Sequence, residues 1–587
     1  MSPYPNIPTP LPIGTEFFDE MIEKGYYYID KTLLIQEILD KRSKVNLFTR
    51  PRRFGKTLNQ TMLKCFFEDT SIISEESREK RVEREEWKPP WAKDKRHLFN
   101  GLKIEAAGEG RYMEEQGKYP VIFLTLKGAK HDSWEASYAS LKGMISNEFR
   151  RHDYVIKTGK LKPANKEKFE RLVANKGEPD DYTDSLRFLS ECLNTYHGKK
   201  TIILIDEYDV PLESAWFAGF YKSMIDFIRS FFGLALKTND SLEFAVLTGC
   251  LRISKESIFT GLNNLNIVSI VSRSYAEYFG FIPAEVEAML CYYKMENRRD
   301  IIKSWYNGYI FGNNTQIYNP WSIINAVSDL KDFPNAYPKP YWSNTSSNSI
   351  VRTLIDKADD AAKKDLETLV AGGFIQKIIH EDITYDEIDK EINNLWNFLF
   401  FTGYLTKFGE SMEGDKIVLD LKVPNRELHY IFNTKIEDWF REKIRQKDYS
   451  KLYTAILAGD TDSFEKEISD VLFQSISYLD NSESFYHGLL VGILAKLQDW
   501  SLKSNREAGW GRSDIYLKYK NFRGKAIIFE LKYAEKVMGL EAKCDEALAQ
   551  IEKNKYTADL EEDGYRPENI IKYGIAFSGK NCMVKNI

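Results

Sequence analysis

Cysteine is scarce and scattered in this chain: six in 587 residues, at Cys65, Cys192, Cys250, Cys291, Cys544 and Cys582, with no Cys-x-x-Cys pair. That excludes a disulfide framework and a thiolate zinc site, and it fits a reducing compartment. None of the seven histidines forms a His-x-x-x-His pair, which argues against zinc in the same way. No apolar run is long enough to span a bilayer. The first residues, with Pro3, Pro5, Pro8, Pro10 and Pro12, lack the apolar core of a signal peptide. The expected location is the cytoplasm. Neither sign of charge dominates: 82 Lys and Arg stand against 87 Asp and Glu, a formal net charge of −5. Coating of nucleic acid by the whole surface is excluded, but a local groove is not. Internal repeats and low-complexity tracts are absent, which leaves a large globular protein of about three to five domains.

Two constellations carry chemistry. Near the C-terminus, Ser513 to Tyr519 alternates β-formers, Asn521 to Gly524 supplies a turn, and Ala526 to Lys532 is a largely apolar second strand. Glu530 and Lys532 lie two apart and share a face, and hairpin pairing brings Asp514 near them. Two carboxylates can hold Mg²⁺, with Mn²⁺ as an alternative. A bound metal lowers the pKa of a water, and Lys532 can stabilise the charge developing on a phosphate. Asp514, Glu530 and Lys532 are therefore the expected catalytic set of a metal-dependent nuclease, with Asp514 and Glu530 as metal ligands.

Upstream, the apolar run Val45 to Thr49, the loop Arg50-Pro51-Arg52-Arg53-Phe54-Gly55-Lys56-Thr57 and a helix from Leu58 form a strand, phosphate loop and helix. The loop, with Arg53 and Gly55, would cradle the phosphates of ATP, Lys56 would neutralise them, and Thr57 would hold Mg²⁺. Arginine at position 50 replaces the usual first glycine, and arginine-rich loops also bind nucleic acid. The strand Thr201 to Ile205 favours the nucleotide reading: it ends at Asp206, a second Mg²⁺ ligand, and Glu207, which can polarise the attacking water. A third strand, Glu243 to Leu247, ends at Thr248, placed as a γ-phosphate sensor, with Arg252 as a charge stabiliser in cis or trans. Acting in trans, Arg252 would imply a homo-oligomer.

These residues resemble the AAA-ATPase-like family joined to a PD-(D/E)XK nuclease. The likeness includes Tyr26 to Thr32, the Arg-Pro-Arg-Arg-Phe-Gly-Lys-Thr loop, Asp206 to Asp209, Gly261 to Leu265, Trp305 to Tyr309, Tyr318 to Trp321, Tyr341 to Thr345, Gly403 to Leu405, and Pro424-Asn425. It covers nearly the whole chain. The resemblance implies an αβββαβ nuclease core. It also implies Glu483 as an extra metal ligand, Arg512 on a phosphate, and Gln550 and Tyr556 beside the substrate backbone. His487 and Glu507 lie in matching stretches, and His487 reads as a hydrogen-bonded helix residue.

The fold expected is multidomain α/β. It comprises a Pro-rich arm (1–10), a P-loop NTPase with a parallel sheet (11–275), a helical lid with aromatic inserts (276–390), a winged-helix-like or helical connector (391–473) and a restriction-endonuclease-like αβββαβ domain (474–587). Trp305 to Tyr309 and Tyr318 to Trp321 read as packing residues rather than base-stacking platforms. Asp30 and Thr32 read as helix caps, and Glu75 to Arg96 as a solvated charged run. Function is expected to be an NTP-regulated, Mg²⁺-dependent nuclease acting on DNA. The alternative is a nucleotide-dependent switch that holds nucleic acid without cutting.

Overall fold

The computed structural model describes residues 8–70, 94–157, 159–252, 264–344, 359–381, 392–434, 448–473, 483–497, 499–508, 511–520 and 524–587. At 360, 392, 393, 473, 484, 505–508 and 511–513 only the backbone is described. The chain forms two compact units: Met1–Ser347 with Phe374–Tyr430, and Asn348–Gly373 with Ile431–Ile587. Most of the charged run, Gly261 to Asn263 and Thr345 lie outside the described residues. No helix among the described residues is long and apolar enough to cross a membrane.

The first unit is built on β1 (Val45–Thr49), β2 (Val121–Thr125), β3 (Thr201–Asp206), β4 (Leu242–Gly249) and β5 (Leu265–Val268). All pair in parallel, in the order β2-β3-β4-β1-β5. Every residue of β1 and β3 is buried, as a parallel sheet covered on both faces requires. Helix α1 (Lys56–Phe67) follows β1 and packs Met62, Leu63, Phe66 and Phe67 against Phe48, Leu204 and Val246. The Gln60 amide donates to the carbonyls of Ile205 and Val246, fixing α1 under the carboxyl ends of β3 and β4. From β1 the chain crosses to the β2 edge, and from β4 it passes over β1 to β5. The carboxyl ends of β1 and β4 are therefore the switch point at which such sheets bind ligands.

Helices α2 (Pro283–Tyr292), α3 (Arg299–Tyr306) and α4 (Pro320–Asp332) follow, with a hairpin of β6 (Tyr309–Phe311) and β7 (Thr315–Ile317). Tyr306, Tyr309 and Tyr318 are buried, so these aromatics pack as the sequence suggests. Trp321 is the exception, because it lines a cavity described below. The same unit ends in an antiparallel sheet of β8 (Ile375–Ile378), β9 (Thr406–Glu413) and β10 (Lys416–Lys422), ordered β8-β10-β9.

The second unit contains α5 (Ser450–Ala458), α6 (Thr461–Phe473), α7 (Glu483–Leu494), β11 (Trp500–Ala508), β12 (Gly511–Tyr519), β13 (Ala526–Tyr533), α8 (Leu540–Lys553), β14 (Ile570–Ser578) and β15 (Asn581–Asn586). Strands β11 to β13 form an antiparallel meander, β14 joins β13 in parallel, and β15 closes the sheet. The αβββαβ order is present, extended by β15. Phe464 of α6 packs edge-on against Phe529 and Tyr573, so α6 covers this sheet. Helix α8 lies so close to β14 that a Cβ at Gly574 would sit 2.6 Å from the Cys544 carbonyl oxygen. Only glycine permits the approach that carries Gln550 to β13.

Candidate functional site

In the second unit the β12–β13 ladder runs from Lys518↔Ala526 to Ile515↔Phe529 and then stops. Where the strands part, side chains take over the freed backbone groups. Asp514 Oδ2 accepts from the Leu531 N–H at 2.8 Å, and the Glu530 carboxylate accepts from the Asp514 N–H at 3.4 Å. The two carboxylates are thus held together by the split itself. Lys532 Nζ lies 3.3 Å from Glu530 Oε1, so the three expected residues converge. Glu530 is 1 % exposed, and burial with the neighbouring Asp514 charge pushes its pKa up to about 7. A carboxylate so poorly compensated, in an all-oxygen donor set, fits Mg²⁺ or Mn²⁺.

The surrounding residues depart from expectation. Gln550 donates to Glu530 Oε1 and to the Tyr556 hydroxyl, so it orients the carboxylate. Tyr556 is completely buried, with its hydroxyl also receiving the Asn554 amide at 2.9 Å. The enclosed phenol holds the Gln550 amide on its hydroxyl. Glu483 is exposed at the start of α7. Among the described residues no three His, Cys, Asp or Glu side chains form a metal-binding group, so Glu483 does not join the pair. His487 Nε2 lies 3.1 Å from the Asp514 carbonyl oxygen and 3.0 Å from Ser504 Oγ. It ties α7 to β12 and β11, in keeping with a structural reading. The side chains of Arg512 and Glu507 lie outside the described residues.

In the first unit Thr57 Oγ1 donates to Asp206 Oδ2 at 2.7 Å, and Thr248 Oγ1 to Asp206 Oδ1 at 2.6 Å. Residues from the start of α1 and the ends of β3 and β4 therefore meet on one carboxylate, again with oxygen donors that suit Mg²⁺. Gly55, at φ 82°, and Arg53, at φ 68°, both take the left-handed conformation, the kind of backbone from which anion-binding concavities are built. Lys56 is 5 % exposed, and its ammonium donates to the carbonyls of Arg50 and Pro51 at 3.0 Å. Glu207 lines the cavity, and burial together with Asp206 and Asp209 raises its pKa. Asp209, to which no role was assigned, accepts from the N–H groups of Cys250 and Leu251 and so shapes the turn after β4. Arg252 Nη1 lies 3.9 Å from the Glu381 carboxylate, and Arg252 does not line the cavity.

The cavity holds about 320 Å³. Pro12, Tyr27, Lys31, Tyr278, Phe281 and Trp321 wall it beyond the phosphate loop. Lys31 Nζ donates to Glu285 of α2 at 2.6 Å, while Asp30 and Thr32 accept from the N–H groups of Lys103 and Ile104. The pair thus caps a neighbouring short helix, Lys103–Ala106, not the one that follows it.

The first loop arginine faces inward. Arg50 is completely buried and donates to the carbonyls of Thr49 and Val268, 2.9 and 2.7 Å away, with its guanidinium 5.0 Å from the Phe279 ring centroid. Burial pulls its pKa down to about 9, which leaves it charged at neutral pH. Arginine replaces glycine here because the side chain turns down into the core and braces β1 against β5. Arg52 pairs with Glu213.

Behind the loop, Trp342 Nε1 donates to the Arg52 carbonyl at 3.4 Å and its ring packs on Tyr404. Glu427 accepts from the Trp342 N–H and from Ser322 Oγ. Burial pushes its pKa from 4.5 up to about 7. The folded protein therefore holds this proton between those values, and stability falls as pH rises through them, by about 3 kcal/mol for this group. Glu427→Gln is expected to flatten the melting temperature between about pH 5 and 7. An unchanged slope would remove Glu427 as its source.

Residues 12–83 and 87–259 match the family model described as predicted AAA-ATPase, and residues 481–587 match the PD-(D/E)XK nuclease superfamily. The chain is also similar to the uncharacterized protein in vnfD 5'region of Azotobacter chroococcum mcd 1. The two are 23% identical over 588 residues, covering 97% of this chain and 96% of that protein.

Proposed function

We propose that this chain, which joins an AAA-ATPase-like domain to a PD-(D/E)XK nuclease-superfamily domain, is an ATP-regulated, divalent-metal-dependent nuclease that cuts DNA. The observation that carries the proposal is the convergence of Asp514, Glu530 and Lys532 where β12 and β13 part. Asp514 and Glu530 would hold Mg²⁺ or Mn²⁺. When bound, such an ion supplies an activated water and offsets phosphate charge. Lys532 adds a fixed positive charge toward the phosphate, and Gln550 keeps Glu530 in place.

In the other domain, Lys56 and the loop N–H groups bind the phosphates of ATP. Thr57 and Asp206 would hold its Mg²⁺, Thr248 fixes Asp206, and Glu207 accepts a proton from the attacking water. Arg252 is proposed to stabilise phosphate charge in cis or, across a homo-oligomer interface, in trans. A cytoplasmic role against foreign DNA suits such a pairing of activities.

The test is incubation of purified protein with linear and circular DNA and with RNA, in Mg²⁺, with and without ATP. DNA cleavage that changes with ATP supports the proposal. Intact substrates in a protein that still binds ATP and DNA would replace it with a nucleotide-dependent binding switch.

A further inference from the structure

The segment from Thr9 to Phe18 runs along the nucleotide cavity and is anchored at both ends. The Thr9 carbonyl accepts from the Tyr293 hydroxyl at 2.7 Å, and the Phe18 N–H donates to Thr61 Oγ1 of α1 at 3.1 Å. Between the anchors, Pro12, Gly14, Thr15 and Glu16 line the cavity. The Glu16 carboxylate accepts from Lys127 Nζ at 2.9 and 3.0 Å and from Arg53 Nη1 at 3.4 Å. Arg53 belongs to the phosphate loop, whereas Lys127 follows β2, three strands away in the order β2-β3-β4-β1. At ~4.8 Å per strand that separation is ~14 Å. One carboxylate thus draws together two cations from opposite sides of the crevice that a triphosphate would enter. The Arg53 guanidinium also lies 4.5 Å from the Trp321 ring centroid, which fixes it at the cavity wall.

We propose that Arg53 and Lys127 are ligands of the terminal phosphate of bound nucleotide, and that Glu16 is the counter-anion they hold until nucleotide displaces it. The inference rests on the reading of this domain as a nucleoside-triphosphate site. A carboxylate offers one charge and two oxygens, whereas a terminal phosphate offers more of both and is the stronger partner for a Lys and Arg pair. Glu16, Arg53 and Lys127 have side-chain exposures of 34%, 35% and 54%, the class of ion pair that exchanges at little cost. Displacement of Glu16 unfastens the middle of the Thr9 to Phe18 strap, so the strap reports whether a triphosphate is bound.

The experiment is ATPγS and ADP binding to the full chain by titration calorimetry, with thermal unfolding to confirm folding. Glu16→Gln, and Glu16→Ala as a second variant, are expected to tighten ATPγS roughly three- to tenfold and ADP less. Lys127→Ala is expected to weaken ATPγS, and Glu16→Gln to lose its effect when Arg53→Ala and Lys127→Ala are combined with it. If the wild type binds ATPγS but both Glu16 variants bind it no better, the displacement proposal fails alone. If the wild type binds no nucleotide, or Lys56→Ala binds as well as wild type, the reading of the site itself fails.

Discussion

Cleavage by the Asp514→Asn protein is expected to fall by about a thousandfold or more, equivalent to several kcal/mol of lost transition-state stabilisation, while ATP binding is retained. The residue anchors one wall of the proposed metal site through Leu531 and presents its carboxylate beside that of Glu530. Glu530→Gln is expected to be as inactive, with a second signature that excludes misfolding. The folded pKa of Glu530 stands at about 7 against an ordinary value of 4.5. Its contribution to stability is therefore complete below about pH 4.5 and is lost as pH rises through about 7. Glutamine never acquires the charge, so the metal-free variant should melt at an equal or higher temperature than wild type at pH 8. Initial rates on labelled DNA and melting curves in chelator check both halves. Asp514→Asn protein that cuts at the wild-type rate would remove this site from the chemistry.

Glu207→Gln is expected to bind ATP and fail to turn it over, with hydrolysis reduced by roughly 10²–10⁴-fold. Glu207 stands just past β3 at φ 51°, a conformation that non-glycine residues seldom adopt, beside the Asp206 that gathers Thr57 and Thr248. Burial and two acidic neighbours raise its pKa, moving it toward the range of an effective proton acceptor. The variant also separates two forms of control. If ATP binding governs the nuclease, Glu207→Gln protein responds to ATP as wild type does. If hydrolysis governs it, the response disappears with turnover. Phosphate release and nuclease rates measured on the same preparation decide this, and unimpaired hydrolysis would take the catalytic role away from Glu207.

Much of this was legible in the chain itself because it depends on local order. Alternation and apolar runs marked β1, β3, β12 and β13, since periodicity follows from which faces a strand must bury. A strand running into a glycine, lysine and threonine at a helix start specifies a phosphate loop, and a two-residue offset places Glu530 and Lys532 on one face. β11 was harder to see. Its Trp500–Ala508 sequence is polar and pairs with β12 on only one side, so no buried face imposes a pattern.

What the sequence by itself singled out, then, are two candidate sets: Asp514, Glu530 and Lys532, and Lys56, Thr57, Asp206 and Glu207. Only the tertiary structure decided what surrounds them. Arg50 turned out to be a core brace, Tyr556 a buried support for Gln550, and Glu16 a partner of two distant cations. The physical reason is that a side chain's role depends on which groups packing brings within about 3 Å of it. Those groups lie as far apart in the chain as Glu16 and Lys127, or Arg52 and Trp342. Spacing along the chain carries no record of such contacts.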